Sequence, residues 1–404
     1  MRTTKDGCVF HLFTNAGSKP VTARARIEGA GLEEWNSITG KVSVAAVRSN
    51  ASSQIEFNLD LPPAGSRLFL VSRDAAVAKT VPASTPGKGR ELPLQEWKVT
   101  RASQNVLVLD YCDLRLAGRT YEDINTWDAN WKIWQAHGFE RPAWDNAVQF
   151  RRRVLDLPPF PADSGFEATF HFTVADAAAL KGAELALELP ELYKVTLNGS
   201  PVDFAPAERW LDNHIKSIGA EPLLKLGENI VRVTGTPFDV HMELENIYIR
   251  GNFAAQAEER GFSLRTPQPL ELGSWQKQGL PFYYDSVLYE ARVDVPRGTR
   301  TLRASFPNWQ GSVAEVLFDG KRVETVGWQP YVCEMPAAPG AHTVALRVVS
   351  TPRNLFGPFH NPTKPRMIAW PGAWSEFPEH QPPGAKYDLV DYGLMERFRV
   401  EAIR

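Results

Sequence analysis

VTLNGSPV at 195–202 is followed, after a loop, by KLGENIVRVTGT at 225–236. The same order recurs as AEVLFDGKRV at 314–323 and APGAHTVALRVVST at 338–351. In each pair a strand-like run turns at Asn198-Gly199 or Asp319-Gly320, residue types that tolerate positive φ and favour two-residue hairpins. In each, Gly and a polar residue then lead into an alternating stretch, GENIVRV or GAHTVALRV. One such hairpin is common. Two in the same order predict a duplicated jelly-roll sandwich.

Outward from these units the chain keeps the same character: short β-type runs broken by Pro, Gly, Asn and Asp. CVFHLFTN, VTARARIEG, KVSVAAV, SQIEFNLDL and SRLFLVS read as five strands of a small antiparallel sandwich over 1–78. DAAVAKTVPASTPGKGRELP is rich in small residues and turn formers, which places a linker at 79–93. A jelly roll with a Trp-rich helical insertion is expected over 94–256. A second, with a long Pro-rich aromatic loop, is expected over 257–404. The fold class is therefore all-β: tandem β-sandwiches with a short helix in the second.

Composition narrows the function classes. At 404 residues the chain exceeds one core and predicts several domains. A net charge of −2 without a basic run gives nucleic acid or an anionic membrane nothing to grip. No window approaches 18 consecutive apolar residues, so no membrane-spanning helix is expected. The start, MRTTKDGCVFHLFTNAG, lacks an apolar signal core and runs at once into a strand, as if the chain began inside a domain. Secretion or a periplasmic location would require a signal peptide further upstream. Cys8, Cys112 and Cys333 lie far apart in strand-like runs and read as buried free thiols.

Several segments resemble the C-terminal part of family 106, α-L-rhamnosidase-type glycoside hydrolases. The two jelly-roll units are also similar to the galactose-binding-like, sugar-binding domains of family 2 enzymes. The likeness is carried by EEWNSITGKVSV (33–44), NVLVLDYCDL (105–114), ENIYIRGNFA (245–254), LGSWQKQGLPFYYDSVLYE (272–290) and NLFGPFHNP (354–362). Each motif is short, and their order is more specific than any one of them. In such enzymes the catalytic carboxylates sit on an upstream (β/α)8 barrel, and this sequence has no eight alternating strand–helix units. The resemblance implies a non-catalytic region that supports that barrel and contacts a polysaccharide or oligosaccharide.

The densest aromatic stretch is NTWDANWKIWQAHGFERPAWDN, 125–146. Trp127, Trp131 and Trp134 fall at helical spacing, which predicts one apolar stripe packed on a sheet, with Asn125 or Thr126 as cap and Gly138 as end. Trp144 follows Pro142 off that register and is freer to meet a ligand. Sugar binding needs flat rings for the C–H face of a pyranose and polar groups for its hydroxyls. Two further segments hold both. The tail from Asn354 to Pro383 offers Trp370 and Trp374 with Asn354, His360, Asn361 and Glu376, against the alternative that it is plastered onto a core. The loop-like ends at 273–286 and 327–332 offer Trp275, Tyr284, Trp328 and Tyr331, again against a packing role.

Hydrolysis of a glycoside calls for two carboxylates roughly 5 to 10 Å apart. Asp239, Glu243 and Glu245 in DVHMELEN would share one face of a strand, so Asp239 and Glu243 are the weak catalytic candidates, with an exposed polar face as the simpler account. Asp110 and Asp113, three apart in a strand, would point to opposite faces. No metal-binding motif occurs, and no cofactor is expected; loop carboxylates leave room for a structural calcium ion. The readings that remain are a carbohydrate-associated accessory region, a free-standing exo-glycosidase and a structural scaffold.

Overall fold

A computed structural model describes residues 2–5, 8–17, 19–37, 40, 42–45, 47–49, 54–72, 89–142, 159–361 and 371–403. They form three antiparallel β-sandwiches. The helix Thr126–Ala136 (α1) is the longest helical element among them. None of the described helices is long and apolar enough to cross a membrane.

In the first sandwich one sheet runs Arg2–Lys5, Cys8–Thr14, Ser66–Ser72, Gly31–Trp35, Val42–Val44. The facing sheet is Val21–Glu28, Gln54–Leu61, Arg48–Ser49. Gln54–Leu61 buries every second residue, Ile55, Phe57, Leu59 and Leu61, as a half-covered strand must. Phe57 meets the wholly buried Phe69 of the other sheet at a ring separation of 4.9 Å, which closes the core.

The duplication is real down to single hydrogen bonds. In the second sandwich Phe166–Val174, Gly227–Gly235, Lys194–Leu197 and Ser200–Pro201 are neighbours in that order. In the third, Ser286–Val295, Gly340–Val349, Val313–Phe318 and Lys321–Val326 repeat it. Both hairpins turn on two residues of positive φ, Asn198 (53°) and Gly199 (83°), then Asp319 (48°) and Gly320 (75°). Asn198 Oδ1 accepts from the Ile230 amide at 3.0 Å, and Asp319 Oδ1 accepts from the Thr343 amide at 2.9 Å. Each turn residue thus ties its hairpin to the next strand.

The duplicated domains are nested rather than serial. Arg90–Leu92 and Gln95–Arg101, divided by the spacing between linker and second block, pair with Arg399–Ile403 and Ser286–Val295 of the third sandwich. Conversely, Phe262–Arg265, expected in the third block, pairs with Phe166–Val174 of the second. The second sandwich is therefore inserted into the third, between Arg101 and Ser286. At the junction the Tyr283 hydroxyl accepts from the Ala102 and Ser103 amides (3.1 and 3.2 Å) and donates to the Ser286 carbonyl (2.9 Å). One side chain clamps both ends of the insert.

The helix departs from its expected face. α1 is capped by Asn125, whose Oδ1 accepts from the Trp127 amide at 3.1 Å. Its buried residues are Thr126, Ala129, Asn130, Ile133 and Trp134. Of the three spaced tryptophans only Trp134 lies on that face; Trp127 and Trp131 flank it, half-buried. Asn130 takes a central place because its Oδ1 accepts from the Leu244 amide, docking the helix on the segment before Ile247–Gly251. Cys112 and Cys333 are buried free thiols, and burial pushes both pKa values up, which suppresses the reactive thiolate.

Candidate functional site

The Pro-stiffened tail of the third sandwich does not stay on its own domain. Leu355, Phe359, Tyr387 and Leu389 join the core of the second. This brings His360 over Asp110, which sits between Asn105–Leu109 and Tyr111–Leu116 where the chain passes from one sheet to the other. His360 Nε2 lies 2.8 Å from Asp110 Oδ2, and the Tyr387 hydroxyl donates to Asp110 Oδ1 at 2.7 Å. The Asp110 carbonyl accepts from the Asn125 side chain and the Thr126 amide, tying the same point to the start of α1. The side chains of His360 and Asp110 are 6% and 2% exposed, so the pair is dry. Burial, then the Asp110 charge, pushes the Tyr387 hydroxyl well above its ordinary pKa, which keeps it a neutral donor.

Around this pair opens a slot lined by Trp127, Trp374, Glu245, Asn246, Glu376 and the ring of Phe359. Its polar wall is held firmly. Thr126 Oγ1 donates to Asn246 Oδ1 at 2.5 Å, and the Trp374 indole N–H donates to the Phe356 carbonyl at 2.7 Å. The space inside is about 30 Å³, room for roughly one water molecule. A pyranose does not fit within it.

Glu245 of the slot wall has the carboxyl of Glu243 as a neighbour. Burial, then the charges of each other and of Glu188, pushes Glu243 up; burial and Glu188 push Glu245 up. Two adjacent carboxyls in one partly dry place oppose each other's ionisation. Asp239 is not part of that group. Residues 236–246 form no strand; Asp239 Oδ1 instead accepts from the His241 amide at 2.8 Å and pairs with its ring at 2.7 Å. Burial raises the Asp239 pKa less than these bonds to His241 lower it. The expectation of one shared carboxylate face across Asp239 and Glu243 is corrected: a turn separates them, and only Met242 and Leu244 keep the inward alternation.

The remaining predicted residues scatter. Trp275 is 1% exposed in the third core, its indole N–H donated to Tyr289 at 2.7 Å, and it presents no surface to a ligand. Asn354 is buried, with both ends of its amide used by the Val390 backbone. Tyr284 accepts from the Trp210 indole at 2.9 Å, and both rings pack on the inner sandwich. Tyr331 packs on Trp309 at a ring separation of 5.1 Å. Among the described ones Trp328 stands out, 55% exposed. Trp144 and Trp370 lie outside the described residues. His360, Trp374 and Glu376, predicted together in the tail, meet at the slot. Asp110 and Thr126, which the sequence marked for other roles, and Tyr387 come from other segments, and no local pattern placed them beside His360. No group of three His, Cys, Asp or Glu side chains among the described residues is placed to hold a metal ion.

No known family model matches the sequence, and no curated protein is significantly similar to it. Among solved structures the chain is similar to a rhamnosidase from Novosphingobium sp. PP1Y, at 13% identity and a TM-score of 0.39, over 99% of this chain and 23% of that one. It is also similar to a family 2 glycosyl hydrolase from Bacteroides cellulosilyticus DSM 14838 (10% identity, TM-score 0.22, over 61% of this chain and 32% of that one). A β-D-mannosidase from Dictyoglomus thermophilum compares at 9% identity and a TM-score of 0.24, over 61% and 31% of the respective chains. All three are glycosidases, and this chain spans about a quarter to a third of their length.

Proposed function

We propose that this chain is a carbohydrate-associated, non-catalytic β-sandwich region of a glycoside hydrolase of the α-L-rhamnosidase type. In this reading it supports an upstream catalytic barrel and contacts a polysaccharide or oligosaccharide at the His360 slot. The observation that carries it is the slot itself: Trp127 and Trp374 line a narrow opening over a buried Asp110–His360 pair, with Glu245 and Glu376 beside them. Rings offer a C–H face, and acids and amides offer partners to hydroxyls, the combination a sugar edge requires.

A catalytic reading draws on Glu243 and Glu245, whose raised pKa values suit an acid. The adjoining slot holds about 30 Å³, too little to enclose a sugar between two carboxylates, which favours the accessory role. A glycan array probed with this chain tests the proposal. Binding to a defined set of glycans, with no hydrolysis of an aryl-glycoside panel that includes rhamnosides, is the expected outcome. Hydrolysis by the chain alone would overturn it in favour of an exo-glycosidase; absence of binding to every glycan would leave a scaffold.

A further inference from the structure

A second opening lies apart from the slot, where the insert leaves and rejoins its host. It encloses about 420 Å³ between strand Gln95–Arg101 of the outer sandwich, Asn252–Ala254 of the inner one, and the Pro267–Leu270 segment. That is within the range of small-molecule sites, roughly 300 to 1,000 Å³.

Among the described residues, Arg101 is the only charged side chain on its walls. One guanidinium nitrogen, Nη2, donates to Asn252 Oδ1 at 2.5 Å. The other, Nη1, is buried and has no hydrogen-bond partner among the described residues. No described carboxylate forms an ion pair with it. Burial lowers the Arg101 pKa, and the neighbour acting against that is a tyrosine, Tyr283, rather than an acid. A guanidinium keeps its charge in a protein, so a half-dry one without a counter-ion is costly to hold. Its planar fork is shaped for a carboxylate.

We propose that this groove binds a sugar carboxylate, a uronate residue, with Arg101 as partner of the acid group. One positive charge among otherwise neutral walls suits a ligand with one negative charge, and disfavours an acidic peptide or a polyphosphate. The absence of an acid on the walls leaves an amino acid's ammonium without a partner. Ser103, Asn252 and Gln268 offer neutral polar groups to ring hydroxyls, while Pro269 and Leu270 supply an apolar side for the C–H face. The groove is distinct from the His360 slot, so either site can fail its test while the other stands.

The test is titration by NMR of the whole chain with glucuronic acid, with glucose as its uncharged counterpart and acetate as the bare carboxylate. Saturable shifts at groove residues are expected with glucuronic acid and none with glucose. Acetate should bind at least about tenfold more weakly than glucuronic acid, and Arg101→Gln should weaken glucuronic acid binding at least about tenfold. Asn252→Asp gives Arg101 an internal partner; it should raise the melting temperature while losing the ligand, and it serves if Arg101→Gln does not fold. No saturable glucuronic acid binding in the wild type would overturn the proposal, as would unchanged affinity in Asn252→Asp or in folded Arg101→Gln. Acetate binding as tightly as glucuronic acid would overturn the sugar assignment.

Discussion

Nε2 of His360 lies 2.8 Å from Oδ2 of Asp110, a contact across 250 positions of sequence that staples the tail of the outer sandwich to the inner one. Removing one partner of a buried hydrogen bond leaves the other polar group unsatisfied, at about 1 to 3 kcal/mol and more where that group is charged. Asp110→Asn should therefore lower stability by about 3 kcal/mol, with a smaller further loss when His360→Asn is added. Denaturant melts of the two single variants and the double variant measure the coupling. Additive losses would show that the pair contributes nothing beyond its separate contacts.

The nested arrangement predicts where the chain can be cut. A fragment from residue 89 retains Arg90–Leu92 and Gln95–Arg101, the strands that edge both sheets of the outer sandwich. A fragment from residue 105 lacks both and bares the edge of Ser286–Val295. The first should melt cooperatively. The second should aggregate or melt at a markedly lower temperature. Differential scanning calorimetry of the two fragments decides it.

Tyr283→Phe removes the hydroxyl that accepts from the Ala102 and Ser103 amides at the insert's neck. Losing the acceptor for these part-buried donors costs roughly 1 kcal/mol. The loss should appear as faster hydrogen exchange at those two amides, with the strand cores unchanged.

Stability should also depend on pH through Glu243 and Glu245. Both have folded pKa values above the ordinary 4.5, because burial and neighbouring carboxylates penalise the charged form. A carboxyl shifted upward favours the fold while protonated. That contribution is complete below the unfolded value and is lost as pH rises through the folded one. The melting temperature should therefore fall between about pH 5 and pH 9, and Glu243→Gln should flatten that slope. A slope unchanged by the substitution would assign the pH dependence to other groups.

The legible part of the molecule was whatever repeats locally. The Asn-Gly and Asp-Gly turns and the strands after them are fixed by backbone preferences at a few positions, and they appear where the pattern places them. Nesting was hidden because Gln95–Arg101 reads as a strand whichever sheet it joins; its partner lies almost 200 residues away in Ser286–Val295. Trp275 shows the same limit for sites. An aromatic in a loop-like run looks alike whether it faces solvent or a core, and here it donates to Tyr289 inside one. Only the tail's fold onto the second sandwich brought His360 and Trp374 together.

Trp374→Ala and Trp275→Ala separate these roles. Trp275→Ala should cost about 3 to 5 kcal/mol as a core truncation, and Trp328→Ala at the surface no more than about 0.5 kcal/mol. The most direct test of the proposed function is affinity gel electrophoresis of the wild type and a Trp127→Ala, Trp374→Ala double variant through a panel of embedded polysaccharides. At least one polysaccharide should retard the wild type, and retardation should be lost in a double variant that still melts cooperatively. Equal retardation of both proteins, or of neither by any polysaccharide, would contradict glycan contact at this slot.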